Sequence, residues 1–241
     1  MHNSNCLNCD SPVIGKYCAD CGQKTATHRI TPKHFIMHDL VHGVLHIDRG
    51  IPFTLKEVFT RPGYAAQDYI KGKRVKYYNV FYLILLTIGF LLIANGHTDL
   101  AIDKIQQSQK LPLVVATFIA LVFNYFKYFL LLLLPLFSLS GLIVFNRLTY
   151  NFFEHFIIAG YALLGIFIIS LAGTLSGKLW EPAEAILSLL MFIYMAWVYY
   201  QVTSQKYSVG GFIWRMACFI LLVILFYIVV LSFMAALIVS L

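Results

Sequence analysis

The chain has 241 residues, 60% of them hydrophobic and only 12% charged, whereas a soluble domain carries about 25% charged residues. With a mean hydropathy of +0.76, that balance excludes an ordinary soluble globule. The net charge of +7 is unevenly placed: eleven of the 18 Lys and Arg residues precede Asn79, with six of the eight histidines and four of the five cysteines.

The chain therefore divides near Tyr78 into a polar, basic front and an apolar remainder. Three regions are expected: a zinc ribbon over 1–26, an amphipathic juxtamembrane collar over 27–78, and a transmembrane helical bundle over 79–241. Met1 to Gln23 contains no apolar run of the kind that marks a cleavable signal peptide.

Cys6, Cys9, Cys18 and Cys21 form a C-x2-C-x8-C-x2-C pattern. Two such knuckles can hold four thiolates tetrahedrally around zinc, at about 2.3 Å each. Gly22 suits the tight turn after Cys21, and Gly15-Lys16 could turn the hairpin between the pairs. The segment has too few apolar residues for a core, so metal binding would supply its folding free energy, on the order of 10 kcal/mol. One structural Zn2+ per chain is expected, with no coordination position open to water because all four ligands are thiols. Disulfides are the alternative. Cys218, alone in the last apolar stretch, reads as a small buried hydrophobe.

His34, His38, His42 and His46 recur every four residues and would drift along one side of a helix. With Asp48 nearby, His38, His42 and His46 could form a second metal site or a pH-sensing surface. The favoured reading is an amphipathic helix at the membrane surface, started by Thr31-Pro32. Thr54 with Glu57 three residues on reads as a capping box, Pro62-Gly63 as a helix break, and Gly72 as a turn delivering Lys73 and Arg74 to phosphate level. These short, broken helices are expected to form a collar around one mouth of the bundle. The basic residues concentrate at Lys71 to Lys76, where anionic lipid headgroups explain them better than nucleic acid does.

A helix needs about 20 apolar residues to cross the hydrocarbon. Five spans are expected: Val80 to Ala94, slightly short but flanked by Tyr77, Tyr78 and Tyr82, then Tyr128 to Phe145, Phe156 to Leu175, Ala185 to Val202 and Met216 to Leu237. Leu113 to Phe126 is ambiguous; a helical extension outside the membrane is favoured over a sixth crossing or a re-entrant segment. With five spans, fourteen Lys and Arg residues fall on the side of the front and four on the other, so the positive-inside rule makes the front cytoplasmic and leaves Leu241 outside. A reducing compartment then disfavours disulfides in the ribbon.

Ionisable residues in the bundle are few. Glu154 and His155 open the third span, Glu181 and Glu184 flank the fourth, and Arg215 lies near the start of the fifth. Each can snorkel or face water. Glu154 and His155 could instead pair with Arg74 or Arg61. No Ser-His-Asp order, phosphate loop or HExxH motif is present.

Cys18-x2-Cys21-Gly22-Gln23-Lys24, His46-x-Asp48-Arg49-Gly50, Thr54-Leu55, Arg61-Pro62-Gly63 and Asp68-Tyr69-Ile70-x-Gly72-Lys73-Arg74 followed by Tyr77 resemble an uncharacterised family of bacterial multi-pass membrane proteins. In that family a zinc ribbon joins an RPG…YI-x-GKR segment and a short helical bundle. Glu154-His155 also fits, whereas Asn79-Val80 departs from an expected Asn-Pro. The resemblance implies a bacterial inner-membrane location and a role for Arg61, Gly63, Gly72 and Arg74. It transfers no activity.

Three functions are therefore carried forward. The leading expectation is a non-enzymatic component that contacts lipids, anchors or assembles a complex, and engages a protein partner or a second copy through the ribbon. The second is a channel or transporter with Arg61, Arg74, Glu154 and His155 at its inner mouth. The third is a membrane enzyme using Glu154 with His155, or the His38, His42, His46 and Asp48 group.

Overall fold

The computed structural model describes residues 5–25, 30, 50–94, 126–180 and 182–239. The histidine-rich stretch with Asp48, nearly all of the ambiguous Leu113 to Phe126 piece, and Glu181 lie outside them. Among the described residues there are seven α-helices and no strand. In chain order they are α1 (Gly50–Thr60), α2 (Pro62–Ile70), α3 (Val80–Ala94), α4 (Phe126–Val144), α5 (Phe152–Gly177), α6 (Pro182–Thr203) and α7 (Val209–Val239). Of these, α5, α6 and Val209–Phe233 of α7 are long and apolar enough to cross a membrane, while α3 and Phe129–Val144 are shorter apolar helices.

Local chemistry explains most of the boundaries. Pro62 cannot continue α1 and sits in the first turn of α2, where its missing N–H costs nothing. Asn79 accepts from the Phe81 N–H at 3.0 Å, so its side chain opens α3, with Val80 at the position where a proline was expected. Asn151 and Glu154 form a reciprocal capping box, which starts α5 four residues before the apolar run does. The capping box expected from Thr54 and Glu57 does not form. Helix α1 begins at Gly50, so Thr54 is inside it and its hydroxyl accepts from the Tyr78 N–H at 2.8 Å.

Helix α5 is the hub. It packs against α1, α2, α3, α4 and α6, and Tyr161, Ile157, Ile158, Leu163 and Leu164 are completely or almost completely buried along it. Val80 and Phe81 at the start of α3 lie against Gly160, where a Cβ would come within 3.0 and 3.2 Å of them. Gly160 is about two turns into α5, so α3 begins well along the hub. At this end α1 and α2 occupy the flank of α5 that α3 leaves open. That is why the first apolar helix can be short. At the far end Lys178 donates to the carbonyl of Ala94 at 2.5 Å, tying the end of α5 to the end of α3.

Helix α6 presses Tyr194 into the notch left by Gly165 and donates from the Tyr194 hydroxyl to the Val58 carbonyl at 2.8 Å. An aromatic layer joins the collar ends of α4, α6 and α7: Phe145 is 5.5 Å from Tyr199, and Tyr199 is 4.6 Å from Phe219. Beyond it α7 runs largely uncovered. Only 11% of its most apolar window is buried against 67% in α5, and Leu221, Ile224, Leu225, Ile228 and Phe233 are exposed.

Candidate functional site

The four predicted ligands converge. The sulfurs of Cys6, Cys9, Cys18 and Cys21 all lie within 4.8 Å of one another, with Cys6 to Cys21 and Cys9 to Cys18 at 3.5 Å. Metal–sulfur bonds of 2.3 Å in a tetrahedron place the sulfurs about 3.8 Å apart, so the residues present fit a metal with four thiolate ligands. Ser11 beside Cys9 draws that thiol down to about 6, and burial pushes Cys21 up to about 11. A bound metal would hold all four as thiolates.

The two halves of this site repeat each other at an offset of twelve residues. Cys6 N–H donates to the Ser11 carbonyl and Cys18 N–H to that of Gln23, at 2.9 and 2.8 Å. Asp10 N–H returns to the Cys6 carbonyl and Gly22 N–H to that of Cys18, both at 2.9 Å. Isolated bridges join Asn5 to Pro12 and Tyr17 to Lys24. Asp10 (φ 61°) and Gly22 (φ 74°) occupy the same left-handed position, which Asp tolerates better than most residues. Gly22 is readable as a knuckle turn in advance; Asp10 becomes so only once NCLNCDSP is aligned with YCADCGQK.

Gln23 joins this cluster to the collar. Its backbone belongs to the second knuckle. Its buried side chain donates to the Gly72 carbonyl at 2.8 Å and accepts from the Arg74 N–H at 3.2 Å. Gly72 has φ 102°, a conformation open to glycine, so the Gly72-Lys73-Arg74 turn is shaped to meet the amide. The Arg74 guanidinium lies 5.5 Å from the centroid of the Tyr69 ring.

Beneath that turn is a charged network that no single motif announces. Arg61 pairs with Glu57 at 2.6 Å and Asp68 at 3.2 Å, and Lys73 pairs with Asp68 at 3.3 Å. The single proton of the Tyr77 hydroxyl is shared between Glu57 and Asp68, at 3.4 and 3.3 Å. Glu57 and Tyr77 are buried. Burial, then Asp68 and Glu57, push the Tyr77 hydroxyl well above the usual tyrosine range, while the hydrogen bond to Glu57 holds Arg61 even more firmly protonated than usual.

Gly63 keys the collar to the bundle. Its N–H donates to the Gln201 side chain at 2.8 Å, and a Cβ there would lie 2.5 Å from the Val198 carbonyl oxygen and 2.6 Å from Gln201 Cβ. Gln67 adds a hydrogen bond to the Val202 carbonyl at 3.1 Å. Thus Arg61, Gly63, Gly72, Lys73 and Arg74 belong to one assembly that joins the cysteine cluster, α1 and α2 to the apolar helices. Glu154 serves the cap of α5, accepting from the Asn151 N–H at 2.8 Å. His155 is buried against Gly141, and no described group bonds its Nε2. Asn151 also donates to the Ile30 carbonyl at 3.0 Å, bringing the chain beyond the ribbon to the same end. Glu57, Asp68, Tyr77 and Gln201 are the functional-site residues that spacing does not reveal.

Residues 48–90 match a family model described as "Protein of unknown function (DUF3667)". No curated protein and no solved structure matches the chain. The collar from residue 48 onward and most of α3 are thus the part of the chain that resembles that family.

Proposed function

We propose that the protein is a non-enzymatic, multi-pass component of the bacterial inner membrane, whose bundle anchors a cytoplasmic zinc ribbon that engages a protein partner or a second copy of the chain. The observation carrying this reading is the clasp of Gln23 on Gly72 and Arg74, above a collar keyed into α6 through Gly63. A ribbon held at two points on a rigid base is presented in a fixed attitude. Its outward side offers Ile14 and Tyr17, 102% and 63% exposed, for contact. Among the described residues, Glu154 is engaged by a helix cap and Arg61 by Glu57 and Asp68.

Zinc is the metal that best suits four thiols in two short knuckles. The membrane reading rests on the apolar helices and on Tyr77, Tyr78 and Tyr82 gathered at the start of α3, as interfacial aromatics would be. The cytoplasmic placement of the ribbon rests on charge. Among the described residues, Lys56, Arg61, Lys71, Lys73, Arg74, Lys76, Arg147, Lys206 and Arg215 belong to the collar end, and Lys127 and Lys178 to the far end.

Native mass spectrometry of the full chain in mild detergent should recover a stoichiometric partner or a homo-oligomer carrying one zinc per chain. A solitary monomer overturns the partner reading, and two metals per chain would favour metal handling instead. Cys21→Ser should abolish both metal retention and partner binding; a partner still bound without metal would dissociate the two.

A further inference from the structure

At the junction of α4, α6 and α7 two arginines share one aromatic ring. The Arg147 guanidinium lies 5.6 Å, and that of Arg215 4.4 Å, from the centroid of the Tyr207 ring. Their charges are therefore no farther apart than about 10 Å, one Debye length in 0.1 M salt. Lys206 is the adjacent residue and is exposed. The ion pairs among the described residues all lie elsewhere, on Arg61 and Lys73. Two cations are thus gathered on one ring, with Lys206 next to it in the chain, and neither arginine is ion-paired to a described carboxylate.

Their donors are also largely unspent. Of the five N–H groups a guanidinium carries, Arg215 spends one on the Gly211 carbonyl at 3.2 Å, and Arg147 makes no side-chain hydrogen bond to a described residue. The buried Tyr207 ring is fixed from below by Phe145, 6.1 Å away. Its hydroxyl accepts from the Arg147 backbone N–H at 3.0 Å, and no described group accepts its own proton. Around the cluster the surface turns apolar: Ile213 and Trp214 are 62% and 70% exposed, and the uncovered face of α7 continues from them. Trp is typical of the headgroup level, and Arg is suited to planar, multidentate contact with phosphate.

We propose that Arg147, Lys206, Tyr207 and Arg215 form a binding site for the phosphate of one anionic phospholipid, whose acyl chains lie along exposed α7. The site rests on reading the bundle as membrane-embedded but not on any protein partner, so loss of the partner would leave it intact. The two arginines supply charge and donors, and Tyr207 holds them together at one height.

The test uses the full-length protein in neutral detergent, titrated with dioleoyl phosphatidylglycerol or dioleoyl phosphatidylcholine and read by native mass spectrometry. Retention of the anionic lipid is expected to exceed that of the zwitterionic one by roughly tenfold. Arg147→Gln with Arg215→Gln should remove that preference, whereas Lys16→Gln with Lys56→Gln, an equal loss of charge at exposed residues elsewhere, should leave it. Arg147→Gln alone, on an exposed turn, should lower it at least about threefold and serves if the double variant does not fold. Equal loss in the two double variants, or an unchanged preference in Arg147→Gln, overturns the proposal. Displacement of the lipid by 10 mM inorganic phosphate would assign the cluster to free phosphate and overturn the lipid reading as well.

Discussion

Tyr77 shows how much one hydroxyl can carry. It bonds both carboxylates of the collar network, and its ring lies 6.1 Å from that of Tyr161 on the hub helix. Because its folded-state value is raised above the ordinary value near 10, its contribution to stability is complete below about pH 10. That contribution is lost as the pH climbs toward the raised folded value. Tyr77→Phe should therefore destabilise the protein at pH 7 by about 1–2 kcal/mol, through loss of the one donor that Glu57 and Asp68 share. It should also flatten the alkaline decline. Thermal unfolding in detergent at pH 7 and pH 10.5 checks both; a variant with the same alkaline slope as the parent would assign that decline to other groups. Arg61→Lys should cost about 1–2 kcal/mol, since an ammonium cannot reproduce the contacts of Nε with Glu57 and of the terminal nitrogen with Asp68. The half-exposed guanidinium, 44% accessible, keeps that figure below the cost of breaking a fully buried pair.

At the scale of elements, the sequence shows breaks more readily than joints. Pro62-Gly63 and Gly72 are legible as interruptions because proline and glycine act on their own backbone. What Gly63 packs against is not legible, since Val198 and Gln201 stand far along the chain. Adding one methyl there should push α2 off α6, so Gly63→Ala is expected to lower stability by about 1–3 kcal/mol, seen as a lower unfolding temperature with the metal still bound. The short first apolar helix was readable as short, but the reason, a flank of α5 already filled by α1 and α2, is a tertiary fact. The convergence of the four cysteines was readable because their spacing is local to one short segment. The role of Gln23 was not, although it stands in the same run. Gln23→Ala should leave the metal in place while releasing the ribbon from the Gly72-Lys73-Arg74 turn. Limited proteolysis between residues 22 and 30, or faster amide exchange at 70–76, would register the release; unchanged protection at both would place the docking energy elsewhere.

For the whole molecule, composition identifies the class of solvent and little else. Apolar runs mark α5, α6 and α7 as membrane-length helices, but hydropathy ranks α7 highest, and α7 is the least packed of the three. The hub is α5, whose glycines Gly160 and Gly165 admit Phe81 and Tyr194, a property of shape that hydropathy does not measure. The uneven charge of the two ends has a further consequence in an energised membrane. Each elementary charge moved across 100 mV changes the energy by about 2.3 kcal/mol. In the orientation proposed above, with the collar end on the negative side, the cluster of Lys and Arg from Arg61 to Lys76 and at Arg147, Lys206 and Arg215 would be drawn inward by the field itself. The membrane potential would then act as a latch on topology: cells depolarised during synthesis should yield a fraction of inverted chains, and cells kept energised should not.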